Sequence, residues 1–287
     1  MNTNLEKTLR HIFSNYRGSI LLTYGLTLLE NLFELIHPLT IGIAINGLLK
    51  QSYGSMMPFA AAWLVHALLS VFRQIYDTRI FSRIYTNLAT STVLEQTKQG
   101  ISFSQIAARS SLSREFVSFF ERDIPEIINS LFGFVGALVM LFIYDWQIGF
   151  YCLLLLLPLS IVNYAYFRRT RSLHQRLNNQ LESEVSVLSC QQPDAIQFHY
   201  KALAKWRIQL SNAEAMTWLI LEIFIVGVFA TMLIRTVIVL GAKTGDIYAI
   251  ISYTWNYRQS LDRVPFLVQQ FNLLQDIGSR ISGGSPI

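Results

Sequence analysis

LLENLFELIHPL, residues Leu28–Leu39, lies between Tyr24-Gly25-Leu26-Thr27 and the apolar run Thr40-Ile41-Gly42-Ile43-Ala44-Ile45. Glu30, Glu34 and His37 stand at i, i+4 and i+7, so they share one face of one helix. From Gly18 to Leu49 these two glutamates are the only charged residues, and the run exceeds the roughly 20 apolar residues that cross a bilayer. A segment this apolar that retains ionisable groups reads as a transmembrane helix with a polar face. Such groups belong in an aqueous cavity or beside a partner.

Working outward, the rest of the chain has the same character. Of its 287 residues 52% are hydrophobic and 14% charged, a balance foreign to soluble domains of this size. Six segments are apolar enough to span: Gly18–Leu49, Met56–Tyr76, Ile124–Tyr144, Gln147–Phe167, Met216–Leu240 and Ile247–Leu274. The last is interrupted by Arg258, Asp262, Arg263 and Pro265. The fold class expected is all-α, a polytopic membrane protein with six transmembrane helices.

Lysine and arginine set the expected orientation, because positive charge stays on the cytoplasmic side. With the N-terminus inside, the inner segments carry Lys7, Arg10, Arg17, Arg79, Arg83, Lys98, Arg109, Arg114, Arg122, Arg168, Arg169, Arg171, Arg176, Lys201, Lys205 and Arg207. The outer loops carry Lys50 and Lys243. The net charge of +5 then follows from topology, and no nucleic-acid partner is expected. Both termini are expected in the cytoplasm of a plasma (bacterial inner) membrane protein. Outer connections are short, as at Asp145-Trp146 and Gly241–Asp246. The inner ones, Asp77–Asp123 and Arg168–Ala215, are long yet keep helical patterning, which predicts helices two to five running on as cytoplasmic stalks.

Residues 1–17 form a basic amphipathic lead with Leu5, Leu9 and Ile12 on one stripe. It has no short apolar core or cleavage site and is expected to stay on the protein. Residues 18–276 are expected to be the transmembrane domain, and 277–287 a short flexible tail. Cys152 and Cys190 are too few for a disulfide framework or a metal site, so neither is expected, nor is any cofactor.

Short outer turns and two long helical hairpins make this chain resemble the transmembrane domain of ATP-binding-cassette exporters from about Arg10 to Asp276. Tyr144-Asp145-Trp146-Gln147 is similar to the family's Asp-Trp-Arg at the turn between spans three and four. A Leu-rich run ending in Leu157-Pro158-Leu159 follows, and Thr244-Gly245-Asp246-Ile247 is similar to the family's Gly-Asp-Leu/Ile before span six. In the family an ATPase domain usually follows. Here no Gly-x-x-x-x-Gly-Lys-Ser/Thr occurs, so the expectation is a domain without a fused ATPase. The resemblance implies coupling-helix tips near Ser102–Arg109 and Ser189–Phe198, with Phe103, Gln105, Gln191 and Asp194 as candidate tip residues. The stretch Cys190-Gln191-Gln192-Pro193-Asp194 departs from the family's Glu and Gly there. It also implies a homodimer, or a higher homo-oligomer where no paired ATPase sites are required.

Glu30, Glu34 and His37 are the leading transport or pore candidates, with Glu222 and Arg235 beside them. Counted from Arg17, Glu30 comes out roughly 20 Å deep, in the middle to outer part of the bilayer. Two carboxylates one turn apart disfavour joint ionisation, which suits a proton-coupled carrier and equally a cation-attracting pore. The alternative is a buried ion pair, with Arg235 as the partner. His66 and Arg73 share a face of span two, and Arg73 reads as a snorkelling residue. Tyr253, Trp255, Tyr257 and Arg258 either line the pathway or pack as an interfacial aromatic belt. Gly133-Phe134-Val135-Gly136-Ala137 offers close helix packing. Glu121-Arg122-Asp123 and Arg168-Arg169 read as solvated stalk charges. No nucleophile stands beside a base at readable spacing, so an enzyme is not expected. Three functions fit: a carrier or channel driven by an ion gradient or passive, the membrane subunit of an exporter whose ATPase is a separate chain, or a non-transporting regulatory membrane partner.

Overall fold

A computed structural model describes residues 3–98, 100, 103, 106, 114 and 117–263. Among these residues the regular elements are helical and there is no strand. The α helices in chain order are α1 (Thr3–Leu48), α2 (Met56–Lys98), α3 (Ile124–Tyr144), α4 (Trp146–Glu182), α5 (Glu184–Ser189), α6 (Pro193–Ile234) and α7 (Thr244–Asp262). A 3-10 turn, Tyr53–Ser55, leads into α2; π-helical turns precede α3 (Phe119–Asp123) and follow α6 (Arg235–Val239).

Local chemistry sets the breaks. Asp145 is extended, and its Oδ1 accepts hydrogen bonds from the amides of Gln147 (2.9 Å) and Ile148 (3.0 Å), capping α4. Gln191 takes a left-handed φ of 50°, and Pro193 then opens α6 where its missing N–H costs nothing. Helices α1, α2, α4 and α6 run 46, 43, 37 and 42 residues. At 1.5 Å per residue these are roughly 55 to 70 Å long, about twice the bilayer core.

Five segments are long and apolar enough to cross a membrane: Tyr16–Leu48, Tyr53–Lys98, Phe119–Tyr144, Trp146–Ser189 and Pro193–Val239. Their apolar surfaces stay largely exposed, as on α2 at Trp63, Leu64, Leu68 and Phe72, and on α6 at Trp218, Ile223 and Val226. Side chains of this kind face lipid at no cost. The chain is a multi-pass membrane protein. The expected sixth span is helical over Thr244–Asp262, but Asp246, Asn256 and Arg258 leave it too polar to join the five, and residues 264–274 of that expectation lie outside the described residues. So does the expected tail, 277–287. The basic lead is helical from Thr3 and continuous with α1.

The chain forms two compact units, Met1–Leu141 with Ala242–Ile287, and Phe142–Gly241. In the first, α1 packs on both α2 and α7. Ile20, Phe81, Ile84, Leu88 and Val117 make an apolar cluster, with Tyr16, Tyr24 and Phe120 against it. Near the start of α7 the backbones of α1 and α7 touch: a Cβ added at Gly42 would meet the Gly245 carbonyl oxygen at 2.6 Å. Asn46 completes the junction, accepting from the Gly245 amide (2.8 Å) and donating to Asp246 (3.2 Å). The second unit is a hairpin of α4 and α6 with α5 at its tip, packed through Ile148, Cys152, Leu155, Leu203 and Met232. His199 is buried there, its Nδ1 2.9 Å from Gln180 Nε2.

Candidate functional site

The helix face that carries Glu30, Glu34 and His37 divides between two environments. Glu30 pairs with Arg73 Nε, and Arg73 Nη1 reaches Asp77 Oδ2 at 3.0 Å. Side-chain exposures of 14%, 21% and 8% make this a largely buried cluster. The partner of Glu30 is therefore Arg73 rather than Arg235. The reason is register: α1 and α2 form an antiparallel hairpin on one short turn, so residues equally far from it meet. Glu30 lies 18 residues before Leu48 and Arg73 17 after Met56, each about 26 Å from the turn.

Buried polar groups on α1 extend the cluster. Thr23, Thr27 and Asn31 follow at i, i+4 and i+8; Thr27 Oγ1 donates to the Thr23 carbonyl (3.0 Å), and Asn31 Nδ2 donates to Asn129 Oδ1 (2.7 Å) on α3. Tyr24 OH donates to the Phe120 carbonyl at 3.1 Å. Asp77 and this threonine–asparagine stripe did not enter the sequence-based site. The signals were there, in the i, i+4 spacing of Arg73 and Asp77 and in the polar period of Thr23, Thr27 and Asn31.

Glu34 and His37 open instead onto a cavity of about 370 Å³ between α1 and α7, with Tyr248, Ser252, Trp255 and Asn256 on its α7 side. His37 is held from α2: its ring stacks on Trp63 (4.8 Å, 13°) and meets His66 edge-on (4.8 Å, 90°). His37 is 11 residues from Leu48, so about 17 Å from the turn. The cavity thus combines a carboxylate, an imidazole, amide and hydroxyl groups and two aromatic rings. Such a mixture can bind and orient a small polar or amphipathic solute.

The remaining candidates lie elsewhere. Tyr253 and Tyr257 are buried, Tyr253 OH donating to the Leu35 carbonyl (2.8 Å) and Tyr257 stacking on Phe134 (5.2 Å). Arg258 sits over the Trp255 ring at 5.2 Å. In the second unit Glu222 is half-buried on α6. Arg235 forms a two-pronged ion pair with Asp145, Nε to Oδ1 at 2.7 Å and Nη2 to Oδ2 at 2.8 Å. That guanidinium, with the Ile148 and Gln147 amides, holds the Asp145 carboxyl below its ordinary range although burial pushes the other way. Gln191 and Asp194 are exposed at the hairpin tip. Phe103 is exposed, while Gln105 lies outside the described residues.

A family model described as ABC transporter transmembrane region matches residues 9–245. No curated protein matches the chain. The match runs from the start of α1 to the Gly245 contact with α1, and takes in all five apolar segments and the capped Asp145 turn. The chain belongs to the ABC transporter transmembrane region family.

Proposed function

We propose that this protein moves a small solute or ion across the inner membrane as a homo-oligomer, driven by an ion gradient or passively, with the Glu34–His37 cavity as its polar site. One observation supports this above the others: in a transport-type membrane domain, a carboxylate and an imidazole open onto one cavity between α1 and α7. In this reading α7 is the beginning of a sixth span, the long helices extend into the cytoplasm, and both termini lie there. The reaction is movement rather than bond chemistry, and the chain is no enzyme.

Reconstitution of the purified protein in liposomes without nucleotide tests the reading. Gradient-driven uptake or ionic current is expected, reduced at least several-fold by Glu34→Gln and by Trp255→Ala. Absence of flux from correctly inserted protein would discard an autonomous carrier or channel.

A second reading is the membrane subunit of an exporter whose ATPase is a separate chain. The hairpin tip favours it, because Val185 (79% exposed) and Phe198 (74%) present apolar side chains beside Gln191 and Asp194. Purification from native membranes would then bring down a nucleotide-binding subunit.

A further inference from the structure

We propose that the Glu30–Arg73–Asp77 cluster is a proton-binding site, with Asp77 as the group that takes the proton and Thr23 as its neighbour. Charge is the first ground. Two carboxylates share one guanidinium, leaving one surplus negative charge among side chains that are 14%, 21% and 8% exposed. An unbalanced charge in such surroundings is costly, and a proton removes it.

The second ground is independent of the acidic residues. Thr23 is fully buried and its Oγ1 has no hydrogen-bond partner; Asp77 Oδ1 is likewise unpaired. The threonine hydroxyl is a neighbour of the Asp77 carboxyl. A proton on Asp77 Oδ1 can donate to Thr23 Oγ1, which would satisfy both atoms at once and leave Glu30 and Arg73 as a neutral pair.

Groups from every neighbouring element agree with this count. On α1, Tyr24 faces Asp77 but its hydroxyl is committed to the Phe120 carbonyl. From the π-turn, Glu121 faces Asp77 with Arg122 beside it, so that pair adds no net charge. Among the described residues no three His, Cys, Asp or Glu side chains converge as a metal ion would require. Asp77 stands 21 residues from Met56, about 32 Å along α2, a length comparable with the thickness of the bilayer core. The step is simple addition: the carboxylate gains a proton from solvent, and no other bond forms or breaks. Its consequence for transport, proton entry coupled to solute movement, rests on the carrier reading; the binding does not.

Infrared difference spectroscopy on the full chain in lipid nanodiscs, titrated through neutral pH, tests it. A protonated-carboxyl band is expected in the wild type. Asp77→Asn, which keeps the side-chain shape, should remove it. Glu30→Gln should also remove it, because the charge surplus disappears, whereas Glu34→Gln should leave it and Arg73→Gln should strengthen it. A wild type without the band, or a band that survives in Asp77→Asn protein of unchanged helicity, overturns the proposal. Flux measured on the same samples separates the two ideas. The band without any flux leaves the site standing and removes the carrier reading; flux without the band does the reverse.

Discussion

At the scale of single residues, contacts that admit no extra atom are the sharpest tests. Gly42 and Gly245 let α1 and α7 touch through backbone, and a methyl at either position meets a carbonyl rather than a flexible side chain. Gly245→Ala should therefore lower the melting temperature in detergent, at a cost of about 1–3 kcal/mol. Gly25 has nothing within 4 Å of an added Cβ, so Gly25→Ala should leave stability unchanged or raise it by about 0.5–1 kcal/mol. The residue scale is also where sequence and structure part. The ionisable face of α1 was legible, since i, i+4, i+7 spacing in an apolar run is unambiguous. Its partners were not, because a helix face does not say which helix it meets. Glu30 found Arg73 through the register of the α1–α2 turn, a quantity that depends on where the turn begins and ends. Thr23 was missed because a single hydroxyl in an apolar run carries no charge to mark it, and Asp77 because it stood as the first residue of a long inner connection.

At the scale of elements, the Asp145 turn holds the start of α4 and the end of α6 with one side chain. Its Oδ1 both caps α4 and accepts from Arg235. Asp145→Asn should preserve the cap and lose the ion pair, while Asp145→Ala should lose both and cost about 1 kcal/mol more. The pH dependence follows from sign. A carboxyl whose folded value is depressed contributes stability that is full above the unfolded value, near 3.9 for aspartate, and is lost as pH falls through the lower folded value. The wild type should lose melting temperature in acid below the usual carboxylate range, and Asp145→Asn should lose that dependence; melting curves across acid pH would show it. The element boundaries here were readable from the short Asp-Trp turn and from Gln191-Gln192-Pro193. The polarity of Thr244–Asp262 is why the sixth expected span does not stand with the other five.

At the scale of the whole molecule, the five apolar segments and the family followed from composition and the order of weak motifs, because bilayer thickness sets a minimum apolar length for a span. What α5 and its flanks meet is a property of partners and was not legible. If a separate ATPase docks there, Asp194→Ala with Phe198→Ala should release it from affinity-purified protein while the helical content stays the same. Co-purification that survives both changes would direct attention to another surface. One π-turn precedes α3 and another follows α6. Each holds one residue more than an α-helical turn needs, so it works as a wound thread that can give back a residue. Releasing Arg235–Val239 into α-helix would rotate whatever lies on one side of it by about 100° and advance it by about 1.5 Å. Deleting Val237 should lock that screwed state, swing Arg235 away from Asp145, and yield a protein that inserts normally but has exchanged a reversible joint for a rigid rod.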